Sequence, residues 1–255
     1  MGKIYVVIMT AILAALLLHG CGSEIKSNID SVEGYEKNET VVPYTLPQFQ
    51  PVLDRCKLQY SEGAAYYYKK LKTFKAPYFY ARDGILYFTI NKTKEMHTMR
   101  CELRGREEWR VSDTNAHLWH AKVRCFVPEK GVDSYNFMQL HGTTETFNYP
   151  LIRLLWVRER QGISDHLWAI VIVSEAYNEN KKYEWIDLGK RTDDYITADI
   201  NVTANIMTLK INGKVIKQYD VSSWQNVLNY YKAGAYIHRP DDHGTAMVAF
   251  KELMF

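Results

Sequence analysis

Apolar and polar residues along this chain alternate with period two more often than they recur at helical spacing, which predicts strands. His117–Val127 (HLWHAKVRCFV) alternates cleanly and stops at Pro128. Gly84–Ile90 (GILYFTI) is rich in strand-forming residues and follows a turn signal at Arg82-Asp83-Gly84. Leu151–Val157 (LIRLLWV) and Leu167–Val173 (LWAIVIV) are apolar runs of strand length. Asn212-Gly213 divides two β-rich halves of Thr208–Val221, the strongest hairpin signal in the sequence. Ala246–Phe255 closes the chain as a further strand. Helical signals are few: a short helix over Gly63–Lys75 and one turn in Ser222–Asn229. Many short strands separated by turns predict an all-β fold, a jelly-roll β-sandwich.

Three segments carry an unusual second face. In Asn229–Pro240 (NYYKAGAYIHRP), Tyr230, Lys232, Gly234, Tyr236 and His238 share one side, and Tyr231, Ala233, Ala235 and Ile237 the other. In Met99–Glu107 (MRCELRGRE), Arg100, Glu102, Arg104 and Arg106 lie opposite Met99, Cys101, Leu103 and Gly105. In Asn136–Gly142 (NFMQLHG), Phe137, Gln139 and His141 lie opposite Met138 and Leu140. Two readings compete: solvated outer faces of a sandwich, or one ligand-binding surface. Solvated faces favour Lys, Glu, Thr and Ser, and these choices differ. Gly234 adds a gap through which a ligand can approach the sheet. Arginines, a lysine and a histidine beside tyrosines suit an anionic ligand with apolar ring faces, such as an acidic polysaccharide. The basic residues form no longer stripe of the kind nucleic acid requires.

Composition bounds the rest. The 255 residues are 47% hydrophobic and 24% charged, enough for one large core. The net charge of +3 is too small to imply a nucleic-acid partner. Aromatic content fits both an all-β fold and sugar stacking. At the N-terminus, Lys3 precedes an uncharged, mostly apolar run from Ile4 to Leu18, short for a spanning helix and suited to a signal peptide. Leu18-His19-Gly20-Cys21 resembles a bacterial lipoprotein box, with His19 departing from it. Residues 1–20 are therefore expected to be a lipoprotein signal, Cys21 the lipidated residue, 21–45 a flexible tether and 46–255 the one folded domain. That organisation implies export to the cell envelope, as an outer-membrane lipoprotein acting as a monomer. Cys56, Cys101 and Cys125 allow one disulfide or three buried thiols. No ligand spacing signals a metal, and no cofactor motif is present.

The segments RCELR, QLH and YYKAGAY resemble, in order and spacing, the three signature motifs of the alginate lyases of polysaccharide lyase family 7. The resemblance covers roughly residues 47–255 and implies a jelly roll whose concave sheet is the substrate groove. It implies β-elimination on a mannuronate or guluronate polymer without a cofactor. Arg100 and Gln139 match the positions that hold the uronate carboxylate, Tyr236 the catalytic tyrosine and His141 the catalytic histidine. Glu102, Arg104, Lys232 and Tyr230 match supporting groove positions. Orienting an arginine is the role expected of Glu102, and Lys232, Arg100 and Arg104 are the cations expected to lower the Tyr236 pKa.

Three departures from the family pattern involve four positions. Cys101 replaces Ser or Thr, Leu140 replaces Ile or Val, and Ile237-His238 replaces Asn-Gln. Leu140 leaves block preference open, and His238 falls on the groove face, where it can shape a subsite. A lyase acting on glucuronan, a non-catalytic sugar-binding module and an adhesion lipoprotein are the rival readings. Asn178–Lys182 and Arg239–Gly244 are the loops expected at the groove ends.

Overall fold

A computed structural model describes residues 39–255 apart from Gly63, Thr146 and Tyr177. The signal peptide, Cys21 and the tether as far as residue 38 lie outside the described residues. The described residues form fifteen strands: β1 (Cys56–Glu62), β2 (Ala64–Tyr68), β3 (Phe79–Arg82), β4 (Ile85–Lys92), β5 (Met99–Gly105), β6 (His117–Cys125), β7 (Ser134–Thr143), β8 (Asn148–Arg160), β9 (Ile163–Ile172), β10 (Tyr183–Lys190), β11 (Ile196–Thr203), β12 (Ile206–Ile211), β13 (Lys214–Asp220), β14 (Leu228–Ile237) and β15 (Gly244–Met254). They make two sheets, in the orders β10-β9-β8-β7-β14-β5-β1-β2 and β13-β12-β11-β6-β15-β4-β3. All neighbouring strands are antiparallel. This is the expected jelly-roll β-sandwich.

The alternation in the sequence builds the core. Leu103, Met138, Leu140 and Ile237 from the eight-stranded sheet, and Phe88, Trp119, Ile200, Leu209 and Phe250 from the seven-stranded one, join a single, fully buried cluster. Each of the large aliphatic or Phe side chains contributes ~1.5–3 kcal/mol of burial free energy. Four hairpins turn through pairs with positive φ at both residues: Asp83-Gly84, Gln161-Gly162, Ala204-Asn205 and Asn212-Gly213. That is type I′ geometry, whose twist matches the flanking strands.

Two expectations need correcting. No helix occupies Gly63–Lys75; Ala64–Tyr68 is β2, paired with β1 from Leu58↔Tyr68 to Glu62↔Ala64. The aromatic trio there follows its strand propensity. The short α-helix is instead α1 (Gln50–Asp54), entered through Pro51. The folded body also begins before Leu46: Val41 bridges Ala81 by backbone hydrogen bonds and Pro43 is buried. The expected turn after Val221 is present as a single 3-10 turn, Ser222–Trp224. Cys56, Cys101 and Cys125 are buried free thiols.

Candidate active site

The three segments with a polar face become β5, β14 and β7, adjacent at the middle of the eight-stranded sheet. Register brings the expected residues together. Tyr236 pairs with Arg100, Gly234 with Glu102, and Lys232 with Arg104 on one side. Lys232 pairs with Gln139 and Tyr230 with His141 on the other. Burial then rules out a solvated face. Glu102, Gln139 and Lys232 are 0%, 2% and 2% exposed, and Tyr230 and Tyr236 are also buried. Charged side chains are rarely so buried unless they are paired. The core face behaves as expected for Cys101, whose thiol meets the Tyr78 carbonyl oxygen. Leu140 and Ile237 are core residues too, so neither touches the groove.

A bulge alters β7. Register shifts between Asn136 and Met138, which turns Phe137 into the core and Asn136 to the groove side. Phe137 therefore does not share the face of Gln139 and His141.

Gly234 has a different purpose from the one its sequence position implied. Its φ is +146°, and a Cβ there would lie 2.2 Å from the Cys101 carbonyl oxygen and 2.7 Å from Glu102 Cα. The glycine lets β14 approach β5, not a ligand approach the sheet. Gly234→Ala is expected to destabilise the fold by about 3 kcal/mol or more, through backbone clash and strain. Denaturant unfolding checks this, and an unchanged midpoint would contradict it.

Beneath the groove lies a buried polar floor. Glu102 Oε2 is 2.7 Å from Lys232 Nζ, and Gln139 Nε2 donates to Glu102 Oε1 at 2.5 Å. Glu102 thus orients a lysine and a glutamine, not an arginine. Burial lowers the Lys232 pKa, and the Glu102 carboxylate opposes that shift.

Above the floor the guanidiniums lie on tyrosine rings. Arg100 Cζ is 4.1 Å from the Tyr236 ring centroid, and Arg104 Cζ is 3.7 Å from that of Tyr230. Arg104 also pairs with Glu108 at 2.6 Å. Arg100 and Arg153 have no carboxylate partner among the described residues, and the Nε of each is buried without a hydrogen bond. Both face a cavity of about 240 Å³ that Gln139, His141, Lys232, Tyr236 and His238 also line. No carboxylate lines that cavity among the described residues. Adjoining hollows extend it past Lys57, Gln59 and Tyr230 on one side and past Asn136 and Trp185 on the other. The groove therefore crosses the strands from β1 to β10. A larger cavity around Trp109 and Phe255 mixes Arg55 and Arg106 with Glu107 and Glu108 and lacks these groups.

His141 and Tyr236 are set in opposite states. Nδ1 of His141 lies 3.0 Å from the Gly142 carbonyl oxygen, which can only accept, so Nδ1 carries the proton. The Tyr230 hydroxyl lies 3.2 Å from the same nitrogen. Nε2 is then the basic nitrogen. Burial, with Lys232, Arg100 and Arg104 nearby, pushes the His141 pKa down to about 3. Burial raises the Tyr236 pKa, and Arg100 and then Arg153 oppose that rise. Arg153, rather than the expected Lys232 or Arg104, is the second cation acting on the phenol. The neutral imidazole is a base in waiting and the phenol holds its proton.

The depressed His141 pKa is also a stability statement. The unfolded chain takes up this proton near pH 6.5, the native chain only near pH 3. Stability is therefore expected to fall as pH drops from about 6.5 towards 3, by up to roughly 4 kcal/mol from this group. Unfolding midpoints across that range test it. His141→Gln flattens the slope, and an identical slope in the variant would contradict the assignment.

Arg153 and Asn136 are groove residues that the sequence reading missed. A single arginine inside the apolar run Leu151–Val157 was the available signal for Arg153. Nothing local marks Asn136, because the bulge that turns it depends on pairing. Both loops reach the groove: Lys181 Nζ lies 4.1 Å from the Tyr149 ring, which lines the central cavity, and Arg239 lines the hollow towards Trp185. Arg239–Gly244 is held down, with Lys92 donating to the carbonyls of Pro240 and Asp242. The Asp242 carboxylate accepts from the backbone of Asp133 and Ser134.

Known proteins share this frame. An alginate lyase from Photobacterium sp. (strain ATCC 43367) is 28% identical over 170 residues, covering 54% of this chain and 59% of that protein. The structure of the alginate lyase AlyC3 in complex with dimannuronate superposes with a TM-score of 0.75 at 22% identity, covering 87% of this chain and 96% of that one. Alginate lyase A1-II', a member of polysaccharide lyase family 7, superposes with a TM-score of 0.66 at 20% identity, covering 82% and 96%. The model of the alginate lyase family matches residues 51–255, and the chain belongs to that family.

Proposed function

We propose that this protein cleaves alginate by β-elimination, leaving unsaturated oligosaccharides. One observation carries the reading. Two guanidiniums without carboxylate partners among the described residues, Arg100 and Arg153, face a single cavity beside a neutral histidine and a protonated tyrosine. That cavity matches the needs of a polyuronate: cations for the carboxylates and proton carriers for carbon 5 and oxygen 4. The complex of AlyC3 with dimannuronate supports an acidic sugar as the ligand of this fold.

The reaction has three tasks. The carboxylate beside carbon 5 must be neutralised so that the carbon 5 proton becomes acidic. Arg100 supplies the charge and Gln139 an amide N–H, its other N–H being held by Glu102. These donors stabilise the enolate-like charge as the proton leaves. A base takes the proton and an acid protonates the departing oxygen 4. In guluronate the two lie on opposite sides of the ring, so His141 Nε2 is the base and Tyr236 the acid. In mannuronate they share a side, and Tyr236 serves as both in turn: its own proton leaves to water, its phenolate oxygen takes the carbon 5 proton, and it passes that proton to oxygen 4. Arg104 and Tyr230 form one wall of the groove. The test is ultraviolet absorbance from the new double bond, on polymannuronate, polyguluronate and glucuronan separately. A rise on an alginate block is expected; no rise on any polyuronate would leave a sugar-binding module.

Arg100, Gln139, His141 and Tyr236 all line one cavity of a single chain, and we propose that it acts as a monomer. Export and anchoring through Cys21 belong to the same proposal. Radiolabelled palmitate should enter the wild-type chain but not Cys21→Ala; equal labelling of both would overturn the anchor.

A further inference from the structure

The residue after β14 reaches back to the proposed proton carrier. His238 Nδ1 lies 3.1 Å from the Tyr236 hydroxyl oxygen, with the rings tilted 46° and their centroids 5.6 Å apart. Strand alternation puts both side chains on the groove side. His238 lines the central cavity and the neighbouring hollow towards Trp185. The direction of the hydrogen bond depends on the imidazole tautomer. Burial keeps the phenol protonated, while burial and the charges of Arg153, Arg100 and His97 push the His238 pKa down to about 4. A neutral imidazole with its proton on Nε2 offers a bare Nδ1 to a protonated phenol. In that tautomer Tyr236 donates to His238 Nδ1, and the hydrogen bond restrains the hydroxyl rotor. A tyrosine at a groove surface otherwise turns its proton freely.

We propose that His238 is a positioning residue that acts through Tyr236. By accepting the phenolic proton in the free groove it holds the Tyr236 oxygen where carbon 5 and oxygen 4 react, and Tyr236 releases that proton to oxygen 4 in the acid step. This inference rests on the lyase reading above. It gives His238 a task distinct from binding a sugar, the role its place on the groove face first indicated. Positioning changes turnover, whereas sugar binding changes affinity.

The experiment uses the full chain and whichever polyuronate it turns over fastest. His238→Ala is expected to lower kcat about tenfold with KM within twofold of wild type, since one orienting hydrogen bond is lost. His238→Asn, whose amide oxygen can occupy the Nδ1 position, is expected to recover most of that loss. Nitrogen-15 NMR of the wild-type imidazole needs no variant of His238. It should show Nδ1 as an unprotonated, hydrogen-bonded nitrogen whose shift moves in Tyr236→Phe. A KM rise without a kcat loss in His238→Ala would overturn the proposal, as would an Asn variant no better than Ala. An Nδ1 shift unmoved in Tyr236→Phe would overturn it as well. In each of these cases turnover by the wild type leaves the lyase reading standing. A wild type that turns over no polyuronate overturns both.

Discussion

Tyr236→Phe is expected to lower turnover on alginate by about 10³, the middle of the range for losing a positioned acid or base. The substitution removes the hydroxyl and keeps the ring. A phenylalanine ring still lies under the Arg100 guanidinium, which is 4.1 Å from the Tyr236 centroid, so the arginine stays in place. Substrate affinity should therefore change little, and the loss should appear in kcat. Both reaction geometries need the hydroxyl, as acid on guluronate and as base then acid on mannuronate. The effect is expected on each block type that the wild type cleaves. Full turnover of polymannuronate by the variant would remove Tyr236 from the mechanism.

Glu102→Gln is expected to have the largest effect on stability among the groove substitutions. Glu102 is wholly buried and holds Lys232 at 2.7 Å, and that lysine is itself buried. Removing one partner strands the other charge, at a cost of about 3–5 kcal/mol. Removing both does not strand a charge. Glu102→Gln combined with Lys232→Met is therefore expected to recover much of the loss, though not activity. Denaturant unfolding of the two single variants and the double gives the coupling. Additive effects would mean that the pair is not coupled and that the floor is held by packing alone.

The fold and most of the groove were legible in the sequence for one physical reason: both depend on period-two alternation. Arg100, Glu102 and Arg104 share a face because strand geometry requires it, and Lys232 and Tyr236 do so for the same reason. The misses fall where alternation fails. Phe137 and Asn136 exchange sides at a bulge, and a bulge is set by the partner strands rather than by local residues. Gly234 looked like an opening because a sequence does not display β5 lying against it. Arg153 was hidden by its apolar neighbours, although a lone arginine in a buried strand is itself a marker. The partner of Glu102 depended on cross-strand register, which the sequence leaves open. The pairing of Tyr236 with His238 follows alternation, but the state of each group required burial to be known.

The central claim is that the groove breaks a polyuronate by elimination rather than by adding water. Digestion of alginate in oxygen-18 water, followed by mass spectrometry of the oligosaccharides, tests this directly. Elimination forms the double bond without water, so the products should be unsaturated and carry no label from the cleavage. Saturated products with one oxygen-18 at each new reducing end would mean hydrolysis and would contradict the account.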